Sequence, residues 1–528
     1  MLSHDEIIRT ALREHDGDLP ENVDVYASTI SEALKDVSTI PPYSRSSKPL
    51  SIVSFRCLLQ DTGYPMEVYL PASIPAPETD DAPVDWSKLQ ERWVGWGVEI
   101  PGEQSWSNDK QANGTLPQLD RLSITSARSS LHPAVHSKYP LPGKAGDYLG
   151  ALVKVYDDLS YRPASTFTFI GIVSTAALPS PISTTSDTEE EPILVPTIHV
   201  LCSPLPAYPP SLSPDPSPVH PDTRSSLLSH LAQSFSPPDA VAAEYLLLLL
   251  LSSPTSRPIS LQPLGTLSIN FLTPPGASST NLEPTLSTLT PLLLSIPLTL
   301  PLLHSHPFFP SSSASNTSLT AGLLQLAPGT TIVIQEDGLG EGGQLNETAI
   351  KNLKALSEVL TDQTIRYDYP FMEGLKMECD IRVAVVSEGK SLLPVDVYLP
   401  LHSSFPSSSS STSTQPSAQD LVAYRAYLAE YSSSRHAAKL HIPDTVADLI
   451  QDDFVESRKG STNTKIDEAE STLKRRMRIA RLLALSHDDA VLSPEVWKRC
   501  ILLDQDVEKR LEVREQVRRE SKLGQPAK

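Results

Sequence analysis

The sequence predicts a mixed α/β protein: a β-rich N-terminal domain of barrel or sandwich type, then an α/β domain on a mostly parallel sheet, then a set of helices. Three observations carry this prediction. Short β-branched, alternating segments recur between Pro49 and Ser174. From about residue 240 strand patterns alternate with helical spacings, which is the signature of crossover connections between parallel strands. From Asp420 onward only helical spacing remains.

In order, residues 1–48 read as a helical segment, with Ile7, Ile8, Ala11 and Leu12, then Val25, Ile30 and Leu34. The β-rich domain spans 49–177, with strands expected at Leu50–Leu58, Met66–Leu70, Ala151–Tyr156 and Phe167–Val173. A Pro/Ser/Thr-rich linker over 178–238 holds one strand, Thr197–Leu201. The α/β domain spans 239–402. Its expected order is helix Ala240–Leu251, strand Gly265–Phe271, helix Leu282–Leu294, helix Leu319–Leu326, strand Thr330–Ile334, helix Glu347–Leu360 and strand Asp380–Val386. A Ser-rich insert over 403–418, dense in serine from Ser403 to Ser413, lacks apolar periodicity and is expected to be disordered. Helices fill 419–515, Leu473–Leu485 being the most periodic, and a charged tail covers 516–528.

Composition narrows the function classes. The 528 residues carry 43 Lys and Arg against 63 Asp and Glu, a formal net charge of −20, so the chain as a whole repels a phosphate backbone. Its 49 prolines fit folded domains interrupted by segments too polar to offset their chain entropy. The four cysteines, Cys57, Cys202, Cys379 and Cys500, are too far apart for a zinc knuckle or a disulfide framework. Met1–Glu6 is acidic, and the greasy runs Tyr245–Leu251 and Pro291–Leu303 fall short of a membrane span. A reduced, intracellular, soluble setting is expected.

Several motifs invite a chemical reading. Ala384–Ser391 ends in Gly389-Lys390-Ser391 and is one residue from a Walker A loop, but Ala384 replaces its first glycine and Pro394 interrupts the helix that must follow. Gly338–Gly343 contains GxGxxG, yet Glu336, Asp337 and Glu341 would crowd a pyrophosphate with negative charge. Thr331–Glu336 has the form of a Walker B strand with Gln335 where an aspartate would hold Mg²⁺, and a neutral amide is a poor ligand for that ion. His304 and His306 have no carboxylate or cysteine beside them in sequence. Trp93, Trp96 and Trp106 could stack bases, but the acidic Glu91, Glu99 and Glu103 favour core packing or a protein contact. Lys474–Arg478 resembles a nuclear localisation signal and reads more simply as a solvated helix face.

Two regions taken together resemble the mini-chromosome maintenance (MCM) complex-binding protein family. One comprises Gly322–Glu336, Ala355–Leu360 and Ser387–Pro394. The other comprises Phe55–Asp61, Ile100–Trp106, Val153–Asp157 and Phe169–Ile172. The resemblance covers roughly 50–175 and 240–515 and lapses in the Pro/Ser-rich inserts. It implies a non-enzymatic nuclear replication factor that binds MCM helicase subunits and is associated with removal of the helicase from chromatin in late S phase and with sister-chromatid cohesion. It further implies that 239–402 is a degenerate AAA+-like module, with Gly322–Glu336 similar to its Walker B strand, Asp380–Pro394 to its later sensor strand, and the helices from about Ile466 to Leu511 to its lid. No catalytic, cofactor-binding or metal-binding residue carries over, no cofactor is expected, and neither membrane nor sequence-specific nucleic-acid binding is implied. Two rivals remain: an active AAA+-type ATPase using Lys390 and Glu336, and a scaffold binding through its Pro/Ser-rich segments.

Overall fold

The computed structural model describes residues 40–69, 89–107, 131–156, 159–179, 192–201, 222–274, 281–336, 343–402, 416–458 and 463–523, apart from isolated positions within them, together with Ser87, 205–206 and His220. The chain divides into two compact units. The first holds Met1–Ser211, His306–Pro328 and Ile365–Met377; the second holds Leu212–Ser305, Gly329–Thr364 and Glu378–Lys528.

The first unit is β-rich. Its strands are β1 (Ile52–Asp61), β2 (Glu67–Tyr69), β3 (Gln90–Val98), β4 (Gly150–Val155), β5 (Thr166–Ala177), β6 (Leu194–Val200) and β7 (Leu205–Pro206). Five of them close on themselves in the order β1-β3-β4-β6-β5 and back to β1, with β4 and β6 parallel and the other pairs antiparallel. This is a Greek-key barrel of the OB type. The period-two pattern explains its interior: Val53, Phe55, Cys57 and Leu59 of β1 meet Val153 and Val155 of β4, Phe169 of β5 and Ile198 of β6. On β3 the glycines make room for large neighbours. A Cβ on Gly95 would lie 2.1 Å from the Trp93 indole, and one on Gly97 2.9 Å from Cys57 Sγ.

The second unit begins with α1 (Thr223–Ala232) and α2 (Ala240–Leu251), then β8 (Ser268–Leu272), α3 (Leu282–Leu289), β9 (Leu293–Pro297) and α4 (Leu300–Ser305). Helix α2, Ala-Val-Ala-Ala-Glu-Tyr followed by six leucines, is buried on every side from Ala242 to Leu251, so it is a core helix and not an amphipathic one. The chain then contributes β10 (Ser311–Ser313) and β11 (Asn316–Thr320) to the first unit, β12 (Thr330–Gln335) and α5 (Glu347–Asp362) to the second, and the body of β13 (Thr364–Tyr369) and β14 (Met372–Glu378) to the first. It finishes in the second unit with β15 (Ile381–Ser387), β16 (Val397–Pro400), α6 (Ala418–Tyr431), α7 (Ser434–Ala437), α8 (Asp444–Arg458), α9 (Asn463–Leu485) and α10 (Pro494–Leu523).

The second unit's sheet is all parallel, in the order β16-β8-β15-β12-β9. Numbered along the chain from β8, its strands run 5-1-4-3-2. Strand polarity therefore places five carboxyl ends along one edge. Beyond the sheet, α5 ends where Gln363 adopts the left-handed conformation at φ 51°. Its side chain repairs the end, donating to Val359 O and clasping both backbone groups of Ile381 at the start of β15.

Three expectations are corrected at the level of elements. The helix expected over Leu282–Leu294 stops at Leu289, and Leu293–Pro297 is instead strand β9, held between Pro291 and Pro297 where a helix cannot continue. Leu319–Leu326 is the end of β11 followed by a turn. There Gly322 crosses so close to Phe309 that a Cβ would lie 2.2 Å from its backbone. The stretch expected as linker with one strand holds that strand, as β6, and also α1 and β7. The N-terminal segment before residue 40 and the serine run 403–415 lie outside the described residues.

Candidate functional site at the carboxyl edge of the parallel sheet

Open parallel sheets bind ligands beyond the carboxyl ends of their strands. Here β12 ends at Gln335 and Glu336 follows it. Glu336 is 9% exposed, its N–H donates to Val386 O at 3.0 Å, and its Oε1 accepts from Ser391 Oγ at 2.7 Å. Ser391 Oγ in turn accepts from Leu393 N at 2.9 Å, so the carboxylate and the turn after β15 hold each other. On β15 the last residue, Ser387, pairs with buried Asn270 of β8 at 2.9 Å and takes Thr273 N on its carbonyl at 2.9 Å. Among the described residues, Glu336 is thus committed to Ser391, and Asn270 to Ser387.

The Walker A-like segment sits in the wrong place for its chemistry. Ala384–Ser387 are inside β15, Glu388–Lys390 form an exposed turn, and the chain proceeds to β16 without a helix. A phosphate cradle needs a helix N-terminus at that point. The segment that follows the first strand, β8, reads Thr-Pro-Pro-Gly-Ala-Ser-Ser-Thr-Asn over 273–281 and contains no lysine. What does reach this edge is Arg514 of α10, whose guanidinium donates to the carbonyls of Leu272 at 3.3 Å, of Thr273 at 3.0 Å and of Glu388. One turn earlier, Arg510 pairs with Asp239, the N-cap of α2, at 2.6 Å and donates to Pro400 O at the end of β16. Burial and the like charge of Arg518 hold the Arg514 guanidinium below the ordinary arginine range.

The other sequence candidates separate. Trp93 turns into the barrel against Tyr161, with ring centres 4.5 Å apart, while Trp96, three residues on, faces the opposite side of β3 and is fully buried. They form no stacking platform together. His306 lies in the first unit with Nε2 3.0 Å from Pro140 O, and His304 ends α4 of the second. No group of three His, Cys, Asp or Glu side chains suited to a metal occurs among the described residues. Gly338–Gly342 lies outside them, as does Cys202. Cys57, Cys379 and Cys500 are free and buried, and burial raises each thiol, Cys500 to about 12.

The basic run is not a solvated face. Arg475 and Arg476 clamp the buried Asp504 carboxylate at 2.7 and 2.6 Å, and Arg478 pairs with Asp396, which also accepts from Ser268 at the start of β8. Sequence reasoning missed this clamp and missed Arg514. The available signal was the Arg510/Arg514 pair at helical spacing on α10.

An OB-type barrel unit and a parallel α/β unit whose carboxyl edge receives Arg514 of the chain's own last helix define a two-unit α/β protein. Residues 120–511 match the profile of the mini-chromosome maintenance replisome factor family. The mini-chromosome maintenance complex-binding protein of Homo sapiens is 30% identical over 460 residues, covering 77% of this chain and 67% of the relative. That of Danio rerio is 28% identical over 478 residues, covering 83% and 73%, and that of Arabidopsis thaliana 29% identical over 395, covering 70% and 64%. The chain belongs to the mini-chromosome maintenance replisome factor family. No helix among the described residues is long and apolar enough to cross a membrane.

Proposed function

We propose that this chain is a non-enzymatic nuclear replication factor that binds MCM helicase subunits and promotes disassembly or unloading of the helicase from chromatin in late S phase, in support of sister-chromatid cohesion. The relatives from Danio rerio and Homo sapiens are named for binding the mini-chromosome maintenance complex. The parallel sheet with strand order 5-1-4-3-2, followed by helices α6 to α10, supports reading the second unit as a degenerate AAA+ ATPase module with its lid. The observation that carries the non-enzymatic reading is Arg514 donating to three carbonyls at the edge where such a module would cradle phosphate. A cation-lined cradle of N–H groups stabilises phosphate, whereas carbonyl oxygens repel it.

A chain shaped like a helicase subunit but without a phosphate loop can occupy a subunit's place without contributing nucleotide to the neighbouring interface. Nuclear location follows in this proposal from partners that act on chromatin. Affinity purification from replicating cells followed by mass spectrometry tests it: helicase subunits should dominate the recovered proteins, and their absence rejects the proposal.

A further inference from the structure

The side chain lodged at the sheet's carboxyl edge reveals what that edge recognises. We propose that the carbonyls of Leu272, Thr273 and Glu388 form a guanidinium-docking notch, filled in the free chain by Arg514 and able to accept an arginine of a helicase subunit in its place. The identity of the incoming partner rests on the function proposed above; the notch itself does not.

The notch is built by the sheet. Leu272 O also holds Leu401 N of the neighbouring chain segment at 2.9 Å, and Thr273 is tied through its N–H to Ser387 O at 2.9 Å, so two of the three acceptors are fixed before any arginine arrives. Arg514 Nη2 serves both Thr273 O and Glu388 O, and Nη1 serves Leu272 O. That convergence suits a planar, five-donor fork and not a point-charge ammonium.

Arg510 and Arg514 of α10 are held differently. Arg510 is 12% exposed at its side chain and pairs with an aspartate that is 1% exposed, so it anchors the helix. Arg514's bonds are charge-assisted through the guanidinium alone, their acceptors being neutral carbonyls, whereas Arg510 also has an anionic partner. A second guanidinium would restore the same bonds, so exchange costs little. The exposed carboxylate of Glu388 beside the notch and the chain's net charge of −20 favour a cationic visitor, while the like charge of Arg518 opposes one.

The test uses the full chain in two arms. Arg514→Ala should lower the thermal midpoint of the second unit, and ethylguanidinium at tens of millimolar should recover at least half of the loss, with ethylammonium at equal ionic strength recovering little. No loss, no recovery, or equal recovery by both cations overturns the notch. Arg514→Lys, which keeps charge without the fork, serves the same arm if the alanine variant does not fold. In the second arm, removing the resident side chain should tighten binding to purified helicase subunits about five-fold, because a competing occupant no longer reduces the competent fraction. Unchanged or weaker binding overturns the exchange. If the unaltered chain binds no helicase subunit, the proposed function fails, and the notch is judged by cation recovery alone.

Discussion

Lys138 Nζ lies 2.7 Å from Asp61 Oδ2 in the first unit, with 0% and 5% of the two side chains exposed. The carboxylate also accepts from Leu319 N at 3.1 Å and Gly63 N at 3.0 Å. Gln60 and Gln325 bond alongside, Gln325 Nε2 donating to Gln60 O at 2.7 Å. Together these bonds fasten the segment 306–328 to the end of β1. Burial pulls the Lys138 amine below the ordinary lysine range while Asp61 draws it back up.

Lys138→Met should therefore destabilise the first unit by about 3–5 kcal/mol, because it strands a buried carboxylate. Adding Asp61→Asn should recover much of that, since an amide oxygen can still accept from Leu319 N. Hydrogen exchange in peptides spanning 316–324 reports both effects. Equal protection in all three proteins would mean the pair does not hold this segment.

His199 supplies a pH dependence. It is 2% exposed on β6, its Nδ1 lies 2.7 Å from Tyr156 OH, and its pKa is lowered to about 3 by burial and then by Lys154 and Arg92. The folded unit keeps the imidazole neutral while the unfolded chain protonates it near 6.5, so the unfolded state binds more protons as pH falls. Stability is full above about pH 6.5 and declines toward pH 3, by up to about 1.4 kcal/mol per pH unit. His199→Gln should flatten that slope in urea unfolding followed through the barrel strands by hydrogen exchange. A slope unchanged by the substitution would assign the acid sensitivity to other groups.

What the sequence made legible follows from which interactions are local. Alternating and β-branched residues along Leu50–Leu58 and Ala151–Tyr156 exposed the barrel strands, because a period of two is written into neighbouring residues. Strand β9 was hidden: a parallel strand buried on both faces is a plain apolar run, and Leu292–Ile296 reads equally as helix or strand. At the candidate site, Glu336 and the departure of Ala384–Ser391 from a Walker A loop were legible from the residues themselves. Arg514 was not, because its acceptors are backbone carbonyls more than a hundred residues away and carry no side-chain signal. The basic run was misjudged for a different reason: its partner Asp504 lies on the next helix, and which faces of two helices meet is not written in either one.

That clamp makes a prediction of its own. Asp504→Ala leaves two guanidiniums facing an emptied site between α9 and α10. Arg475 and Arg476 expose 28% and 23% of their side chains, so they can turn partly to water. The expected cost is about 2–3 kcal/mol, below that of a fully buried pair. Trp497, whose indole donates to Asp453 Oδ2 at 2.7 Å in the same unit, gives the fluorescence signal for the urea transition. A midpoint within error of the unaltered chain would show that the clamp is dispensable.

Nucleotide is the next discriminator. With no lysine in the segment 273–281 that follows β8 and Arg514 at the carboxyl edge, isothermal calorimetry should detect no saturable ATP site in the micromolar range. Lys390→Ala and Glu336→Gln should leave the heats unchanged, and the second should preserve folding because an amide oxygen still accepts from Ser391 Oγ. A stoichiometric ATP site abolished by Lys390→Ala would replace the pseudo-subunit proposal with an active ATPase.

The last prediction concerns the helicase itself. In a nucleotide-bridged ring each subunit contributes a phosphate loop to one interface, so a subunit-shaped chain without that loop can compete for a neighbour's surface but cannot restore the bridge. Binding to exposed or free subunits then draws the ring toward an open or subassembled state by mass action. The shift requires differential affinity, because a ligand that binds closed and open rings equally moves nothing. Mixing the purified chain with assembled helicase should release discrete subcomplexes that contain it, with less release as ATP strengthens the ring. Arg514→Ala, if it vacates the notch, should release more at the same concentration. If the chain instead coats an intact ring with every subunit retained at every concentration tried, displacement is wrong and the protein acts as an adaptor on the ring's exterior.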